Sequence, residues 1–208
     1  MPISIAIARS VTLASPLSFA QQAHESMSFF ITSKGLCNGA DLGGLAGADA
    51  HCAQFAKNIG AGAKTWRAYL STTGSDGVNA RDRIGAGPWS NARGVQVAAD
   101  VAELHGANEL SKEASLDEQG GVVNGRGNSP NRHDIMTGSN ADGTAHDSNC
   151  DNWSGAGFTG AARVGHHDRT GGGSAPSSWN SAHDSRGCTQ FNLKSSGGDG
   201  LYYCFAAD

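Results

Sequence analysis

Five cysteines are spread over this chain of 208 residues, and they constrain its fold more than any other feature. Four of them, Cys52, Cys150, Cys188 and Cys204, lie far apart in the sequence. Cytosolic proteins rarely keep disulfide bonds, so this set indicates a disulfide-held domain that folds in an oxidising compartment. Four cysteines allow three connectivities. Cys37 is left over, and an odd cysteine indicates either a free thiol or a bridge to a second chain.

The glycine content and the low charge limit what the rest of the chain can be. Glycine accounts for 30 of 208 residues, about twice the ordinary usage of roughly 7%. Because glycine adopts positive φ without steric cost, this excess predicts a loop-rich domain. The formal net charge is −4 and the pI is about 6.0. Binding to nucleic acid or anionic lipid normally needs clustered Lys and Arg, so the charge argues against both partners.

Residues 1–20 have the pattern of an export signal. Arg9 precedes an apolar stretch at residues 11–20 that ends in Ser18-Phe19-Ala20. Small residues at the −3 and −1 positions are what signal peptidase requires, so we predict cleavage after Ala20 and a secreted or periplasmic protein. Residues 21–208 then form a single domain. No segment approaches the roughly 20 apolar residues that a membrane span needs, which predicts that the chain does not span a membrane.

Hydrophobic periodicity predicts one clear helix and several strands. Apolar residues recur at helical spacing between residues 46 and 59, which places Ala48, Cys52, Phe55 and Ala56 on one helix face. Runs rich in β-branched and aromatic residues predict strands. These runs lie at residues 28–33, 65–71 and 201–207, with short strands in long loops at residues 94–97, 121–123, 135–136 and 163–164.

A succession of short motifs follows this order of elements. The motifs are Ala50–Gln54, Trp66–Ser71, Val78–Asp82, Thr137–Gly143, Cys150–Trp153 and Leu201–Cys204. Over about residues 28–207 the chain resembles the C-type-lectin-like fold, in particular its endostatin-like branch, and exported bacterial proteins of this outline whose activity is mostly unassigned. The resemblance implies an α+β domain of short antiparallel strands, one or two helices and long disulfide-held loops. It also implies nested disulfides, Cys52–Cys204 and Cys150–Cys188.

The familiar functions of that fold do not carry over with the resemblance. Sugar-binding members hold calcium with a Glu-Pro-Asn run and a Trp-Asn-Asp run. The nearest strings here, Ser129-Pro-Asn131 and Trp179-Asn-Ser181, each lack the carboxylate, and calcium prefers six to eight oxygen ligands that include charged ones. Endostatin-like heparin binding relies on an arginine-rich surface, which an acidic chain does not predict.

The residues with the most chemical potential are His-Asp pairs in the second half of the chain. Asn131-Arg-His-Asp134 and Gly165-His-His-Asp-Arg169 contain two of these pairs, and His146-Asp147 and His183-Asp184 are the others. One interpretation is a divalent metal site, for zinc or calcium, with imidazole and carboxylate ligands. The candidate ligands are His133, Asp134, His166, His167 and Asp168.

Two arguments limit this interpretation. Neighbouring residues of a strand face opposite ways, so at most one of His166 and His167 points into such a site. The alternative to a metal is a network of ion pairs that fixes the long loops, in which Arg132 and Arg169 pair with Asp134, Asp168 or Asp184. Among the tryptophans, Trp153 beside Cys150 is predicted to pack in the core, and Trp179 to be exposed as a stacking platform.

These patterns favour an exported binding module over an enzyme, since no nucleophile motif is present and no catalytic residue stands out. We expect it to recognise a glycan or cell-envelope polymer through its loops, using Arg132, His133, His167, Asp168, Arg169 and Trp179. One alternative is a metal-binding protein or metal-dependent enzyme that uses the His/Asp residues. Another is a structural component of the envelope that forms a dimer or attaches to a partner through Cys37.

Overall fold

The computed structural model describes residues 26–208, and the predicted signal peptide at residues 1–20 lies outside the described residues. Its helices are α1 (Gly44–Asn58), α2 (Val101–Leu104) and α3 (Gln190–Ser196), with a 3-10 turn at Ala80–Asp82. Its strands are β1 (Phe29–Ile31), β2 (Trp66–Ala68), β3 (Trp89–Ser90), β4 (Gln96–Ala98), β5 (Asp134–Met136), β6 (Arg163–His166), β7 (His183–Asp184) and β8 (Gly198–Ala206). This composition confirms a mixed α+β architecture with short strands and few helices.

The long strand β8 organises the main sheet. It pairs antiparallel with β1 and β2, and parallel with β5, which continues the sheet through β6 to β7. The parallel pairing with β5 departs from the expectation of antiparallel strands alone. Side chains of β8 alternate between the two faces of the sheet: Tyr202 and Cys204 belong to one core cluster, whereas Tyr203 and Phe205 belong to the other.

The first core cluster lies between the sheet and α1. The buried face of this helix consists of Ala48, Asp49, Cys52, Phe55 and Ala56, which confirms the apolar face predicted from helical spacing. A disulfide joins Cys52 of α1 to Cys204 of β8, so helix and central strand are linked covalently as well as by packing.

The second core cluster covers the opposite face of the sheet and is rich in aromatic rings. Tyr69, Trp89, Trp179, Tyr203 and Phe205 are all buried in it, and the ring centroids of Trp179 and Tyr69 are 4.8 Å apart. The expectation that Trp179 is exposed is therefore wrong: only 3% of its surface is accessible, because its ring fills the space between the sheet and the loops.

The second disulfide, Cys150–Cys188, holds the loop-rich part of the chain. Both predicted pairings are thus confirmed, and Cys37 is free and exposed. Cys150 opens a turn of left-handed helix at Cys150–Trp153, with φ between 50° and 67°. Left-handed helix costs roughly 1–2 kcal/mol per non-glycine residue, so its surroundings hold it: Asn149 accepts a hydrogen bond from the Asn152 amide, and the buried Trp153 indole donates to the Ser71 carbonyl.

Several local predictions need correction. The apolar residues at 121–123 form no strand, because Val122 makes only an isolated bridge with Leu116. The sequence analysis did not predict β3, β7 or α3, which are short and lack a clear hydrophobic period. No helix among residues 26–208 is long and apolar enough to cross a membrane.

Candidate functional site

A cluster of histidine side chains around one aspartate lies at the β5–β6–β7 end of the sheet. Asp134 of β5 and His166 of β6 are direct antiparallel partners, so their side chains share a face of the sheet. His183 of β7 pairs with Val164, which lies two residues before His166 on that same face. The register alone therefore brings three polar side chains together, and His133, which directly precedes β5, completes the set.

All three imidazoles direct Nε2 at a single oxygen atom. Oδ1 of Asp134 lies 3.1 Å from Nε2 of His133, 3.3 Å from Nε2 of His166 and 3.4 Å from Nε2 of His183. One ligand atom from each of His133, Asp134 and His166 lies within 4.8 Å of the others. His183 lies outside that 4.8 Å group, and its Nε2 contacts Oδ1 of Asp134 at 3.4 Å. We call these four residues the His/Asp cluster.

The other ring nitrogen of each histidine faces a second acceptor. Nδ1 of His166 lies 2.8 Å from the Pro176 carbonyl oxygen, and Nδ1 of His183 lies 3.0 Å from the Asp184 carbonyl oxygen. Nδ1 of His133 lies 3.4 Å from Oδ1 of Asp168. For His166 and His183 the acceptor opposite Nδ1 keeps the proton on that nitrogen and leaves the lone pair of a neutral imidazole on Nε2. Nδ1 of His133 is buried and makes no hydrogen bond to a described residue, so for this ring the proximity of Asp168 favours the same tautomer.

These contacts create a proton shortage in the middle of the cluster. If the imidazoles are neutral, three Nε2 lone pairs point at a carboxylate oxygen, which also offers only lone pairs. If they are all protonated, three buried cations surround one carboxylate. Both carboxylate oxygens of Asp134 and Nε2 of His166 are buried. None of these three atoms has a hydrogen-bond partner among the described residues. Native proteins rarely leave such groups unpaired without a bound ion, water or functional reason.

The electrostatics of the cluster depends on where each member lies. Asp134 and His166 are buried, at 2% and 0% side-chain exposure, whereas His183 is 25% exposed. The close contact with Asp134 raises the pKa of His183 above its usual 6.5, against the lowering effect of burial. Burial by itself would raise the pKa of Asp134, but the contacts with His166 and His183 hold it below its usual value. Charge therefore favours a cation next to Asp134.

Two glycines keep space for the imidazole rings. A Cβ atom on Gly197 would come within 2.8 Å of Nε2 of His133. A Cβ atom on Gly171, which has φ of 133°, would come within 2.9 Å of Cε1 of both His133 and His166. The backbone therefore closes directly over the stacked rings of His133 and His166, whose centroids are 4.3 Å apart. Any larger residue at either position would displace a ring.

An open cleft of about 400 Å³ leads to the cluster. Its lining residues are Arg126, Asn131, His133, His166, Gly172, Gly173, His183, Asp184, Arg186 and Ser196. The floor is formed by the imidazoles and the rim carries the two arginines, whose side chains are exposed. A small polar molecule can therefore reach the His/Asp cluster from solvent.

Asp168 supports the cluster from outside. Its Oδ1 faces His133, and its Oδ2 accepts a hydrogen bond of 2.6 Å from the backbone amide of Arg126. Burial on its own would raise the pKa of Asp168, but the contacts with His133 and with the Arg126 amide hold the pKa well below its usual value. Asp168 is thus a permanently charged orienting group for His133.

His167 is separate from the cluster. It is fully buried, and its Nε2 contacts the carbonyl oxygen of Asn124 at 3.2 Å. Burial lowers its pKa. His166 and His167 therefore point in different directions, as predicted from the alternation of a strand, and of these two only His166 contacts Asp134.

The loop-fixing ion pairs that the sequence suggested are formed with other partners. Arg132 pairs with Asp199 at 3.0 Å, and Asp184 pairs with Arg163 at 3.3 Å. Arg169 hydrogen-bonds to the carbonyl oxygens of Leu110 and Ser177 and to the side chain of Asn108. The expected pairing of Arg132 and Arg169 with Asp134, Asp168 or Asp184 is therefore wrong, and Asp134 keeps its histidines as its close polar neighbours.

Three residues of the site were missing from the sequence-based set of candidates. His183 was noted as part of a His-Asp pair but not assigned to the site, because the two-residue strand β7 has no hydrophobic pattern. Arg126 and Arg186 come from loops on either side of the cleft, and their proximity to the cluster follows from tertiary structure alone. The His-Asp repetition was the available signal for His183.

The chain matches no model of a known protein family, and a search among curated proteins finds no match either. The functional argument therefore rests on the geometry of this chain's own residues.

Proposed function

We propose that this protein binds a divalent transition metal ion, with zinc as the best match, through His133, Asp134, His166 and His183. One observation carries the proposal: three imidazole Nε2 atoms converge on one buried carboxylate oxygen while each Nδ1 faces another acceptor. A metal ion between the Nε2 atoms and Asp134 accepts all of these lone pairs at once. It thereby removes the proton shortage without burying three imidazolium ions.

The distances and the outer contacts support zinc. Bonds of about 2.0–2.1 Å to a tetrahedral zinc place neighbouring ligand atoms about 3.3 Å apart. The three Nε2–Oδ1 distances of 3.1–3.4 Å match that spacing. Zinc-bound histidines also usually donate their other N–H to a carboxylate or a backbone carbonyl, which is the role available to Asp168, Pro176 and Asp184 here.

The donor atoms argue against calcium, the other ion considered from the sequence. Calcium takes six to eight oxygen ligands, whereas three of the four donors here are imidazole nitrogens. Imidazole suits zinc, copper, iron and nickel. The proposal is therefore a transition-metal site, and it predicts a preference for zinc over calcium.

The cleft makes this a site for ligands as well as for a metal. Four protein ligands fill a tetrahedral zinc, so a ligand from solvent must add as a fifth group, an expansion that catalytic zinc sites can undergo. His183 is the exposed member of the His/Asp cluster and borders the cleft, so a metal held beside it is accessible. We therefore place ligand recognition, which the sequence assigned to the long loops, at this cleft. A metal-dependent enzyme is compatible with it.

The same arrangement does not support the earlier ligand-binding set as a whole. Trp179 is buried under the loops, and Arg132 and Arg169 already bond to other groups. Of that set, His133 lines the cleft, and Asp168 reaches it through His133. Recognition of a glycan or envelope polymer stays a prediction, with the cleft as its proposed location.

We also propose that the chain is exported and has a C-type-lectin-like fold of the endostatin-like branch. Adjacent terminal strands β1 and β8 and the bridge between α1 and β8 support that fold. The two disulfides fit an extracellular or periplasmic location. Dimer formation through Cys37 is a further prediction, supported by its exposure.

Isothermal titration calorimetry of chelator-treated protein tests the metal proposal. We expect saturable uptake of one zinc ion and no uptake of calcium, and zinc in protein purified without chelator. His133→Gln and His166→Gln should abolish tight binding. His146→Gln is the matched control, because His146 belongs to a His-Asp pair outside the cleft. Equal zinc affinity in wild type and His166→Gln would refute the assignment.

A further inference from the structure

Most arginines that the structure describes have a partner for their guanidinium group, and two have none. Among residues 26–208, five arginines form ion pairs: Arg67, Arg81, Arg83, Arg132 and Arg163. Arg93 and Arg169 donate to backbone carbonyl oxygens. The guanidinium groups of the remaining two, Arg126 and Arg186, have neither an ion pair nor a hydrogen bond to any described residue, and both line the same cleft.

The backbone at both arginines is fixed although the side chains are free. The amide of Arg126 donates to Oδ2 of Asp168 at 2.6 Å, and the amide of Arg186 donates to the hydroxyl of Ser196 at 2.9 Å. Each guanidinium is therefore attached at a defined point of the rim while its donors stay available. An arginine fork held in this way suits phosphate and carboxylate groups, which accept two parallel hydrogen bonds.

The charges of the cleft also favour an anion once a metal is present. Asp184 forms an ion pair with Arg163. In formal charge alone, the two free arginines offset Asp134 and Asp168. A divalent cation in the His/Asp cluster then leaves the cleft positive. Such a concave positive surface attracts anions from solution.

We propose that the cleft binds a ligand that carries an oxyanion group, either phosphate or carboxylate. Arg126 and Arg186 bind this group beside the metal, so the inference rests on the proposed metal site. The cleft of about 400 Å³ limits the bound portion to a small molecule or the end of a larger one. An uncharged glycan carries no oxyanion group and is therefore outside this class of ligand.

The test uses the full-length mature protein loaded with zinc, with zinc content measured first. Inorganic phosphate and acetate are titrated separately by calorimetry at constant, low ionic strength. We expect saturable binding of at least one probe, and the double variant Arg126→Gln/Arg186→Gln should bind it at least about tenfold more weakly, the effect of losing charged hydrogen bonds. The zinc content of the double variant should be unchanged. Phosphate binding alone assigns a phosphate-bearing ligand, and acetate binding alone assigns a carboxylate.

Arg81→Gln is the matched control, because Arg81 is also exposed but lies outside the cleft. It should bind the probe as wild type does. Equal affinity in wild type and the double variant, or no saturable binding by zinc-loaded wild type, overturns the inference while the metal site stands. If the protein takes up no zinc, the proposed function fails separately. The same titrations on metal-free protein then decide whether the arginines bind oxyanions. Binding that the double variant loses supports this role, and absence of binding by the wild type refutes it.

Discussion

Asp49 and Asp134 are both buried carboxylates next to basic side chains, but their surroundings differ. Oδ2 of Asp49 accepts hydrogen bonds of 2.8 Å from both Arg67 and Arg83, and Oδ1 accepts one of 2.9 Å from the Ala68 amide. Every donor there has its acceptor. Asp134 faces three imidazole nitrogens at longer range, and neither of its oxygens has a hydrogen-bond donor among the described residues.

This difference separates a polar cluster whose hydrogen bonds are complete from the cluster to which we assign a metal ion. The Asp49 cluster joins α1 to β2 and needs nothing else, because its geometry satisfies every charge. The His/Asp cluster has buried acceptor atoms without matching donors, which is why we propose that a metal ion completes it. Incomplete hydrogen bonding in an otherwise well-packed sheet is therefore a better indicator of a site than the number of charged residues.

In metal-free protein the largest effect should follow from Asp49→Ala. This change leaves Nη2 of Arg83, a side chain that is 12% exposed, and the Ala68 amide without their acceptors, and the Arg83 guanidinium keeps only its bond to the Ala68 carbonyl oxygen. Breaking a buried ion pair costs about 3–5 kcal/mol, and we expect about 3 because Arg67 is 43% exposed. Urea denaturation measures it. Asp82→Ala, at an exposed carboxylate 3.9 Å from Arg81, is the control and should change little.

Asp134→Asn should act mainly through the metal. Without zinc it should cost less than about 1 kcal/mol, because neither oxygen of Asp134 accepts a hydrogen bond from a described residue. With zinc at 100 times the wild-type dissociation constant, the variant should additionally lack the roughly 2.7 kcal/mol that binding supplies. Thermal denaturation with and without zinc separates the two terms. A zinc-independent loss as large as that of Asp49→Ala would show that both carboxylates are structural.

Asp168→Asn should weaken zinc binding by about 10–100-fold, because loss of an outer partner lets the ring of His133 reorient. Competition with a chromophoric chelator measures the affinity, and the stoichiometry should stay the same. Asp147→Asn, at an exposed aspartate away from the cleft, should leave the affinity unchanged. An unaltered affinity in Asp168→Asn would remove Asp168 from the site.

The smallest effect concerns a histidine that contrasts with those of the cluster. Nδ1 of His105 lies 2.8 Å from the Val101 carbonyl oxygen, and its Nε2 lies 2.7 Å from the Tyr69 hydroxyl, which can donate. This neutral ring has both partners that it needs, and burial lowers its pKa below 6.5.

Because the unfolded chain takes up a proton near pH 6.5 before folded His105 does, stability should fall as the pH drops below that value. Metal-free His105→Gln should lose less melting temperature than wild type between pH 8 and pH 5.5. Burial also lowers the pKa of His51. Part of the loss of stability at low pH therefore remains in both proteins. An identical loss in wild type and variant would show that His105 is protonated equally in the folded and unfolded chains.

The parts of the fold that depend on local pattern could be predicted from the sequence. The spacing of Ala48, Cys52, Phe55 and Ala56 indicated α1 and its buried face, and the aromatic run near the C-terminus indicated β8. Strand β7 could not be predicted, because two residues provide no periodicity.

The candidate site could be predicted only in part for the same reason. His133, Asp134 and His166 were among the candidates because they belong to His-Asp repeats. Whether they meet depends on the pairing of β5 with β6, and the place of His183 depends on the register of β7. Such registers are set by tertiary packing and not by neighbouring residues. The cleft arginines, which come from distant loops, carried no local signal.

The disulfide Cys150–Cys188 encloses more than a loop. Its cysteines are 38 positions apart, and the segment between them includes both His166 and His183, whereas His133 and Asp134 lie outside it. The bond thus restricts the segment that carries these two histidines and lowers the entropy lost when they meet the rest of the proposed ligand set. Under the proposed function, the reduced chain should therefore hold zinc more weakly than the disulfide-bonded chain.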